Sequence, residues 1–395
     1  MRNRVAVTGV GVVANVGQGS SAFWSGLLSG VPSHGFEIHD FDPLPYFDGN
    51  AKEARRCDRF AQLAFAAADE AITQAGDFIS DSTRCGSWVG TGVGGLDTLE
   101  KQVQVLSEKG PRRVSPFLIP MLMANAASAG ISMKYGLQGP CETTVTACAA
   151  GTHSIGRAAE LIRNGTCDAM LTGGAEATLT PIGRQGFINM TAVSSSGISR
   201  PFDADRDGFM HSEAAGILVL EEWEHAMNRD ALILGEILGS ASTADAHHIT
   251  APAPEGAGAV LCMSAALDNA GLSPDDIVHI NAHGTSTPLN DAAEAEAIVK
   301  TFGQKTPIVT STKGATGHTL GAAGAIEAIA VILAIQNKQI PQTHGTSAVD
   351  PELSQIDLVI GEPRDWSPGP SLSNSFGFGG HNGTVVIGPA SYKTV

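Results

Sequence analysis

Short apolar runs bounded by glycine alternate along this chain with longer alanine-rich segments, and this alternation restricts the possible folds more than any other feature. The short runs are predicted to be buried strands, and they lie at 4–11, 86–95, 168–177, 216–222, 278–287 and 306–318. The longer segments carry apolar residues at helical spacing, and they lie at 58–76, 151–165, 258–271 and 321–338. Strands that alternate with helices predict an α/β architecture with helices packed on largely parallel sheets.

One segment divides the chain into two stretches of similar construction. The sequence ADAHHITAPAPEGAG (244–258) is rich in proline, alanine and histidine and is predicted to be a connecting loop. We therefore predict two halves, 1–245 and 246–395. No exact repeat is visible, so the duplication is inferred from the rhythm of the elements alone.

The charge balance limits the possible partners. Lys and Arg number 24 and Asp and Glu number 40, which gives a formal net charge of −16. This balance argues against nucleic acid, whose backbone requires a strongly positive surface. An acidic protein partner would need a local basic patch, and Lys52, Arg55, Arg56 and Arg59 have the i, i+3, i+4, i+7 spacing of one helical face.

The cysteines and the N-terminus bear on the cellular compartment. Six cysteines are scattered with no pair at two-residue separation, so the sequence gives no support for a zinc ribbon or a thioredoxin-like motif. The N-terminus turns polar and glycine-rich after a short apolar run, and no stretch approaches 18 uninterrupted apolar residues. We expect a soluble, cytoplasmic protein with reduced thiols, no membrane association and no resident metal.

Two glycine patterns raise the alternative of a nicotinamide-dependent oxidoreductase. Gly9-x-Gly11-x-x-Ala14 and Gly90-x-Gly92-x-x-Gly95 each follow a predicted strand. A dinucleotide fingerprint requires a helix to begin at the loop, with its N-terminus facing the pyrophosphate. The chain after Gly11 is turn-like, which argues against nucleotide binding.

Cys148 is the candidate nucleophile. It ends a strand-like run in GPCETTVTACAAGTHSIG (139–156), and a helix with apolar residues on one face follows at once. Unpaired N–H groups and the helix dipole at such a position favour the thiolate that attacks a carbonyl. A small buried cysteine is the alternative reading, and it is the one expected for the other five cysteines.

Two histidines stand in Gly/Thr-rich turns directly after predicted strands. His283 lies in NAHGTST (281–287) and His318 in KGATGH (313–318), with Lys313 five residues before His318. Such positions fit a catalytic rim at the carboxyl ends of strands. The other ten histidines, His34 among them, are expected to be structural or surface residues, and metal ligation by the adjacent pair His247 and His248 finds little support.

Four motifs in order make the chain resemble the elongating β-ketoacyl-[acyl carrier protein] synthases: TACAAGTHSIG (146–156), NAHGTSTPLND (281–291), STKGATGHTLGAAGAIEA (311–328) and NSFGFGGHN (374–382). The resemblance runs through almost the whole chain. It implies the thiolase fold, in which two similar βαβαβαββ halves form a five-layered αβαβα sandwich. It also implies a homodimer, although pairing with a related ketosynthase-like subunit stays open.

The resemblance implies a decarboxylating Claisen condensation. Cys148 would accept an acyl chain from acyl carrier protein, and malonyl carrier protein would then lose CO₂ and attack that thioester, lengthening the chain by two carbons. The enzyme itself would bind no cofactor, because the phosphopantetheine arm belongs to the carrier protein. The four basic residues at 52–59 would receive this acidic partner.

The resemblance also assigns roles to individual residues. His283 and His318 would stabilise the enolate as neutral hydrogen-bond donors, and Lys313, paired with Glu327, would organise the site. The remaining assignments are the backbone N–H groups of Cys148 and Phe378 as an oxyanion hole, Thr285 and Thr287 as holders of the pantetheine arm, Val93 as a gate to the acyl tunnel and Leu118 at the far end of that tunnel. Val93 and Leu118 are also compatible with ordinary core positions.

Several sequence features separate this chain from related classes and leave its pathway open. No cysteine follows Cys262, unlike the degradative thiolases, and Cys148 is retained, unlike inactive chain-length partners. Thr191, Gly314, Ala315 and Val145 depart from the usual residues near the active-site rim. A ketosynthase subunit of a type II polyketide or polyene synthase therefore stands as an alternative to fatty-acid elongation, and a non-catalytic partner subunit that binds acyl chains remains a further one.

Overall fold

Strands and helices alternate through both halves of the computed structural model, which describes residues 2–31, 35–303, 305–353 and 355–392. His34, expected to be structural or surface-exposed, lies outside the described residues. Every predicted strand and helix segment contains an element of the predicted type. The strands are β1 Val5–Ala14, β2 Gly17–Gln18, β3 Cys85–Gly90, β4 Cys141–Glu142, β5 Ala169–Glu176, β6 Ala214–Glu222, β7 Gly235–Ala244, β8 His279–Asn281, β9 Ile308–Thr310, β10 Gln339–Ile340, β11 Asp357–Leu358, β12 Arg364–Asp365, β13 Ser371–Gly377 and β14 His381–Gly388.

The helices vary widely in length. The longest, α3, has 17 residues and is N-capped by Asp58, whose carboxylate accepts a hydrogen bond from the Phe60 N–H. The helices are α1 Ser20–Ser29, α2 Ala51–Ala54, α3 Arg59–Ala75, α4 Leu96–Lys109, α5 Leu118–Leu122, α6 Ala126–Tyr135, α7 Ala150–Arg163, α8 Pro181–Asn189, α9 Trp223–Asn228, α10 Ala257–Ala270, α11 Pro288–Phe302, α12 Lys313–Thr316 and α13 Ala323–Asn337.

The strand order reveals the duplication that the sequence only suggested. The first set runs β1-β6-β5-β3-β4 and the second runs β7-β14-β13-β8-β9. In each set the first two pairings are antiparallel and the next two are parallel. The sheets are therefore mixed, and the prediction of largely parallel sheets is wrong. A short turn over Phe378–Gly380 joins β13 to β14, and strands joined so closely have to run antiparallel.

Strand β7 belongs to the second set. It pairs with β14 from His381 to Gly388, whereas its contact with β1 involves only two residue pairs. A division of the chain by sheet therefore falls between Asn228 and Gly235, ahead of the boundary at residue 245 expected from the sequence.

Two helices lie between the two strand sets. Helix α7 contacts β5 of the first set and β14 of the second, and α13 contacts β6 and β13 in the same way. Helix α3 covers the outer face of the first set, and α10 covers that of the second. The result is a five-layered αβαβα arrangement, as the resemblance implied.

Helix α13 is apolar on all sides because both of its faces are covered. The segment Leu320–Asn337 is long and apolar enough to cross a membrane by composition, but 83% of it is buried inside the protein. Helices buried between two sheets have this character. We therefore assign it to the core.

Candidate active site

Cys148 lies in a tight turn directly before α7, as the sequence predicted. The turn Ala147–Ala149 leads into the helix at Ala150, and the Cys148 side chain is buried. Ala147 adopts a positive φ of 49°, which is costly for a residue with a Cβ. Strained backbone of this kind holds a side chain in a position that a relaxed turn would not give it.

Burial governs the protonation of this cysteine. It raises the pKa of Cys148 to about 11, even though the Lys313 ammonium and the backbone N–H groups of Phe378 and Cys148 lower that pKa. The sequence predicted that the helix terminus would favour a thiolate. The resting group is instead a thiol, because desolvation of the charged form outweighs the local dipoles.

The two predicted histidines meet at this thiol. His283 follows β8, and His318 follows the short helix α12 beyond β9, so both come from the carboxyl ends of adjacent parallel strands. The His318 Nε2 lies 3.1 Å from the Cys148 Sγ. The two imidazole rings are 5.4 Å apart between centroids and nearly perpendicular.

Lys313 and Glu327 lie behind the histidines as a fully buried ion pair, formed by the Lys313 Nζ and the Glu327 Oε1. The Lys313 Nζ also lies 3.3 Å from the His283 Nδ1. An ammonium group can only donate, so Nδ1 accepts and the ring proton of a neutral His283 is on Nε2. Burial, aided by the Lys313 charge, holds the pKa values of His283 and His318 well below the ordinary range. Both rings are therefore neutral.

The backbone around Phe378 approaches the nucleophile closely. The backbone N–H groups of Phe378 and Cys148 both lower the pKa of the Cys148 thiol, so both act on its sulfur. A Cβ on Gly377 would lie 3.0 Å from the Cys148 nitrogen, so glycine is needed for this approach. Two converging N–H donors at a nucleophile have the arrangement of an oxyanion hole.

Two buried carboxylates that the sequence reasoning missed hold the loops of the site. Glu294 on α11 accepts hydrogen bonds from the backbone N–H groups of His283 and Gly284 at 2.8 and 2.7 Å. Glu176 at the end of β5 accepts from the N–H groups of Gly92 and Gly321. Burial raises the pKa of each carboxyl to about 7. An acidic residue in an otherwise small and apolar strand end, GGAEA, was the available signal.

A cavity of about 350 Å³ opens above the three side chains. Cys148, His283 and His318 line it, together with Thr285 and Thr287, whose hydroxyls are hydrogen-bonded at 2.9 Å. Its other walls are mostly apolar and include Met190, Thr191, Phe209 and Leu289. The predicted substrate-binding threonines thus lie on the approach to the nucleophile.

Val93 and Leu118 do not line this cavity. Val93 is 47% exposed, so the alternative that it is an ordinary core residue is wrong. Its N–H donates to Glu176 at 3.3 Å, which fixes the loop after β3. Leu118 is the first residue of α5 and is half-buried. The tunnel roles of both residues stay predictions.

The four basic residues do not share one helical face, and that prediction is wrong. Helix α2 ends at Ala54, a turn follows, and α3 begins at Arg59 after its Asp58 cap. Arg59 is bound by Glu213 through two hydrogen bonds of 2.7 Å, and Arg56 packs over the Phe117 ring. Lys52 and Arg55 are exposed.

The glycine patterns do not form nucleotide sites. Strand β1 continues through Gly11 to Ala14, so no helix begins there. Helix α4 does begin after Gly95, but the Gly92 and Val93 N–H groups are already bound to Glu176. A carboxylate thus occupies the donors that a pyrophosphate would need.

Within the described ranges, the one group of three side chains arranged to bind a metal ion is that of the active site. The donor atoms of Cys148, His283 and His318 lie within 4.8 Å of one another. His247 and His248 are exposed, and the His248 Nδ1 accepts hydrogen bonds from the Thr250 and Ala251 N–H groups, which stabilise the loop. The absence of a resident metal stays a prediction.

The duplicated αβαβα fold with a cysteine and two histidines at its centre defines a condensing enzyme of the thiolase-like class. Two family models match the chain: "Beta-ketoacyl synthase, N-terminal domain" over residues 34–226 and "Beta-ketoacyl synthase, C-terminal domain" over 234–347. The chain belongs to the beta-ketoacyl synthase family.

Relatives match over nearly their full length. The chain is 44% identical to 3-oxoacyl-[acyl-carrier-protein] synthase 2 of Synechocystis sp., covering 98% of each protein. It is 44% identical to the enzyme of that name from Staphylococcus aureus, covering 97% of this chain and 98% of the relative. Among solved structures, the ishigamide ketosynthase/chain length factor aligns with a TM-score of 0.90 at 34% identity, covering 99% of this chain and 100% of the other. A type II polyketide ketosynthase solved with its acyl-carrier protein, AntDE:AntF, aligns with a TM-score of 0.90 at 30% identity and the same coverage.

Proposed function

We propose that this chain catalyses the decarboxylating Claisen condensation of an acyl thioester on Cys148 with malonyl-[acyl carrier protein] in fatty-acid biosynthesis. The product is a β-ketoacyl-[acyl carrier protein] longer by two carbons. The observation that carries the proposal is the Cys148 thiol 3.1 Å from the His318 Nε2, at the floor of a cavity that His283 also lines. The relatives named as 3-oxoacyl-[acyl-carrier-protein] synthases support it.

Acyl transfer is the first step. The Cys148 sulfur attacks the thioester carbonyl, whose oxygen is held by the Cys148 and Phe378 N–H groups. The thiol proton passes to the departing pantetheine thiolate. One carbon–sulfur bond forms and one breaks. Because burial raises the pKa of Cys148 to about 11, deprotonation has to accompany the attack.

Condensation is the second step. Malonyl carrier protein releases CO₂, and the electron pair of the broken C–C bond forms an enolate whose oxygen accepts hydrogen bonds from His283 and His318. The enolate carbon attacks the Cys148 thioester, the carbon–sulfur bond to the cysteine breaks, and the expelled thiolate takes up one proton from solvent. Lys313 supports this role because its contact with Nδ1 directs the proton of His283 to Nε2. Glu327 balances the charge of Lys313.

The pantetheine arm enters through the cavity. Thr285 and Thr287 line its wall and offer hydroxyl groups to the amides of the arm. The enzyme needs no cofactor of its own for this reaction, because the pantetheine arm is part of the carrier protein.

The acidic carrier protein docks on the exposed cations near α2. Lys52 and Arg55 are free to meet it, whereas Arg56 and Arg59 are held within the chain. We expect Arg55→Glu to raise the KM for acyl carrier protein while kcat stays near that of the wild type, because charge reversal weakens encounter rather than chemistry. Lys338→Glu, at an exposed cation that ends α13, is a control with the same charge change, and an equal rise in KM there would contradict the docking site.

A second copy of the chain covers the apolar surface of α4. Leu99, Val103 and Leu106 are exposed at helical spacing on this helix. Ile119 on the neighbouring α5 and Met123, which follows α5, are exposed as well. Exposed apolar clusters of this kind mark interfaces. We propose a homodimer, with a heterodimer as the alternative because one similar solved structure is a ketosynthase in complex with its chain length factor.

The deciding experiment is intact mass of the protein after incubation with a panel of acyl carrier proteins, followed by malonyl carrier protein. We expect a covalent adduct on the wild type, its discharge as a product two carbons longer, and no adduct on Cys148→Ala. Cys262→Ala, which alters another buried cysteine, is the matched control and should be acylated normally. An adduct that persists in Cys148→Ala would overturn the assignment.

The same panel separates the pathways. Saturated chains point to fatty-acid elongation, and polyketide or polyene chains point to the type II synthase alternative that the similar solved structures suggest. Activity that appears only with a second ketosynthase and is unaffected by Cys148→Ala would instead indicate a partner subunit. A cytoplasmic location stays a prediction from the sequence.

A further inference from the structure

His153 is a buried imidazole on α7 that the mechanism above does not use. It lies five residues after Cys148, and it does not line the cavity above the nucleophile. Only 7% of it is exposed, and burial lowers its pKa below the ordinary histidine value. A neutral, buried imidazole needs a partner for each of its two nitrogens.

Both nitrogens have partners, one next to the nucleophile turn and one on β14. The His153 Nδ1 lies 2.8 Å from the Thr146 hydroxyl, just before the strained Ala147 and the nucleophile. The His153 Nε2 lies 2.9 Å from the backbone carbonyl of Asn382 on β14. A carbonyl can only accept, so Nε2 carries the proton and Nδ1 accepts from Thr146. One ring therefore joins the nucleophile turn to the last strand.

The turn that leads into β14 carries Phe378, the second donor of the proposed oxyanion hole. Asn382 pairs with Phe376 across the hairpin whose turn contains Phe378. The preceding helical residue reinforces the connection, because the Thr152 hydroxyl lies 2.7 Å from that of Ser375 on β13. Two consecutive residues of α7 thus hold the hairpin that presents the Phe378 N–H.

The backbone opposite the ring is shaped for it. A Cβ on Gly383 would lie 2.9 Å from the His153 Cδ2 and 3.0 Å from its Nε2. That distance is too short for an ordinary side chain at residue 383, so glycine leaves the space that the ring fills.

We propose that His153 is a positioning residue that keeps the Cys148 and Phe378 N–H groups at the spacing needed for acyl transfer. It acts through Thr146 and Asn382 and does not touch the substrate. This inference rests on the proposed function. Loss of the His153 contacts should slow one half-reaction and not the other. The oxyanion hole serves acylation of Cys148, whereas malonyl decarboxylation depends on His283 and His318.

The test measures single-turnover acylation of Cys148 and malonyl decarboxylation in the same variants. His153→Leu removes both hydrogen bonds, and Thr146→Val removes one while keeping the shape of the side chain. We expect each to slow acylation by about 10- to 100-fold, because small displacements of reacting groups have effects of this size. Decarboxylation should stay within about twofold of the wild type, since its donors are untouched.

Three further variants distinguish positioning from general damage. The double variant His153→Leu/Thr146→Val should acylate no more slowly than the slower of the two single variants, because both changes break the same link between Thr146 and Asn382. His153→Gln carries a donor and an acceptor and should recover part of the acylation rate. Ser154→Ala removes only a local bond to the Ala150 carbonyl on the same buried helix and should acylate normally.

The outcomes are distinct. Wild-type acylation rates in both His153→Leu and Thr146→Val, or an equal loss of decarboxylation in folded variants, would overturn the inference. If His153→Leu does not fold, Thr146→Val and Ser154→Ala decide the matter. A wild-type protein that gains no acyl adduct would instead count against the proposed function.

Discussion

Lys313 is a fully buried charged residue, and its ammonium group contacts Glu327 and His283. Its ammonium has two effects at once. It adds to the burial that keeps the neighbouring imidazole neutral, and it directs the remaining ring proton toward the cavity. Burial and the buried ion pair therefore act together on the charge state of the site.

Breaking that pair should destabilise the protein more than replacing it. At pH 8 we expect Lys313→Met to lower the free energy of unfolding by about 3–5 kcal/mol, because it leaves Glu327 buried without a counter-ion. The double variant Lys313→Met/Glu327→Met should recover most of the loss, since two apolar side chains have no charge to desolvate. Chemical unfolding of the wild type, the two single variants Lys313→Met and Glu327→Met, and the double variant measures this. A double variant destabilised by the sum of the two single losses would contradict it.

The histidine pKa values predict the pH dependence of decarboxylation. A histidine at its ordinary pKa of about 6.5 is half protonated at that pH and loses its neutral form below it. The pKa values of His283 and His318 lie well below this, so both rings stay neutral as the pH falls from 8 to 6. The two imidazoles should therefore cause no loss of malonyl decarboxylation, followed as CO₂ release, across this range. The carboxyls of Glu176, Glu294 and Glu327, whose pKa values burial raises to about 7, do change protonation here and are the expected source of any loss. NMR titration of the two rings separates these sources, and a ring that titrates near pH 6.5 would contradict the prediction.

At the scale of elements, glycines determine how closely helices pack on strands. In β1 a Cβ on Gly11 would lie 1.9 Å from the Ala67 carbonyl oxygen of α3. The helix backbone thus rests directly on the strand, and neither can yield without moving the layer. The many glycines of the sequence are explained here by packing and not by a nucleotide.

Gly11→Ala should therefore be costly. We expect a loss of about 1–3 kcal/mol or more in the free energy of unfolding, because the added methyl group meets rigid backbone. Gly186→Ala on the exposed face of α8 is the matched control, since a Cβ there meets nothing within 4 Å. It should be neutral or stabilise by about 0.5–1 kcal/mol through helix propensity. Equal effects of the two changes on the unfolding midpoint would refute the packing argument.

At the scale of the whole molecule, the two strand sets place their functional parts on one site. The first set supplies Cys148 at the start of α7, and the second supplies both histidines and the Phe378 hairpin. Helices α7 and α13 lie between the sets and contact both. The active site therefore exists only when the halves are packed together.

The exposed apolar face of α4 is where the proposed dimer can be tested. Val103 is 56% exposed in the middle of the apolar face of α4. We expect Val103→Glu to shift the protein from dimer to monomer in analytical ultracentrifugation, because a buried unpaired carboxylate opposes association. Glu108→Lys on the same helix should leave the association state unchanged. A wild-type protein that is already monomeric at all concentrations would end the proposal.

The sequence by itself determined the types of element and the chemical groups. Every predicted strand and helix segment was confirmed, since the periodicity of apolar residues is a local property. Among the longer strands, β7, β13 and β14 were not predicted, and their small and polar residues explain why. Cys148, His283 and His318 were found from local motifs, although 170 positions separate the first from the last.

The protonation states of these groups and the contacts between them could be read from the tertiary structure alone. The prediction that the four basic residues at 52–59 share one helical face was wrong. Their i, i+4 spacing assumes a continuous helix, whereas a new helix begins after the Asp58 cap. The thiolate prediction failed because desolvation at Cys148 depends on layers contributed by distant segments. The roles of Glu176, Glu294 and His153 in holding loops likewise arise from contacts far apart in the chain. Burial and long-range pairing are properties of the packed molecule, and no local pattern encodes them.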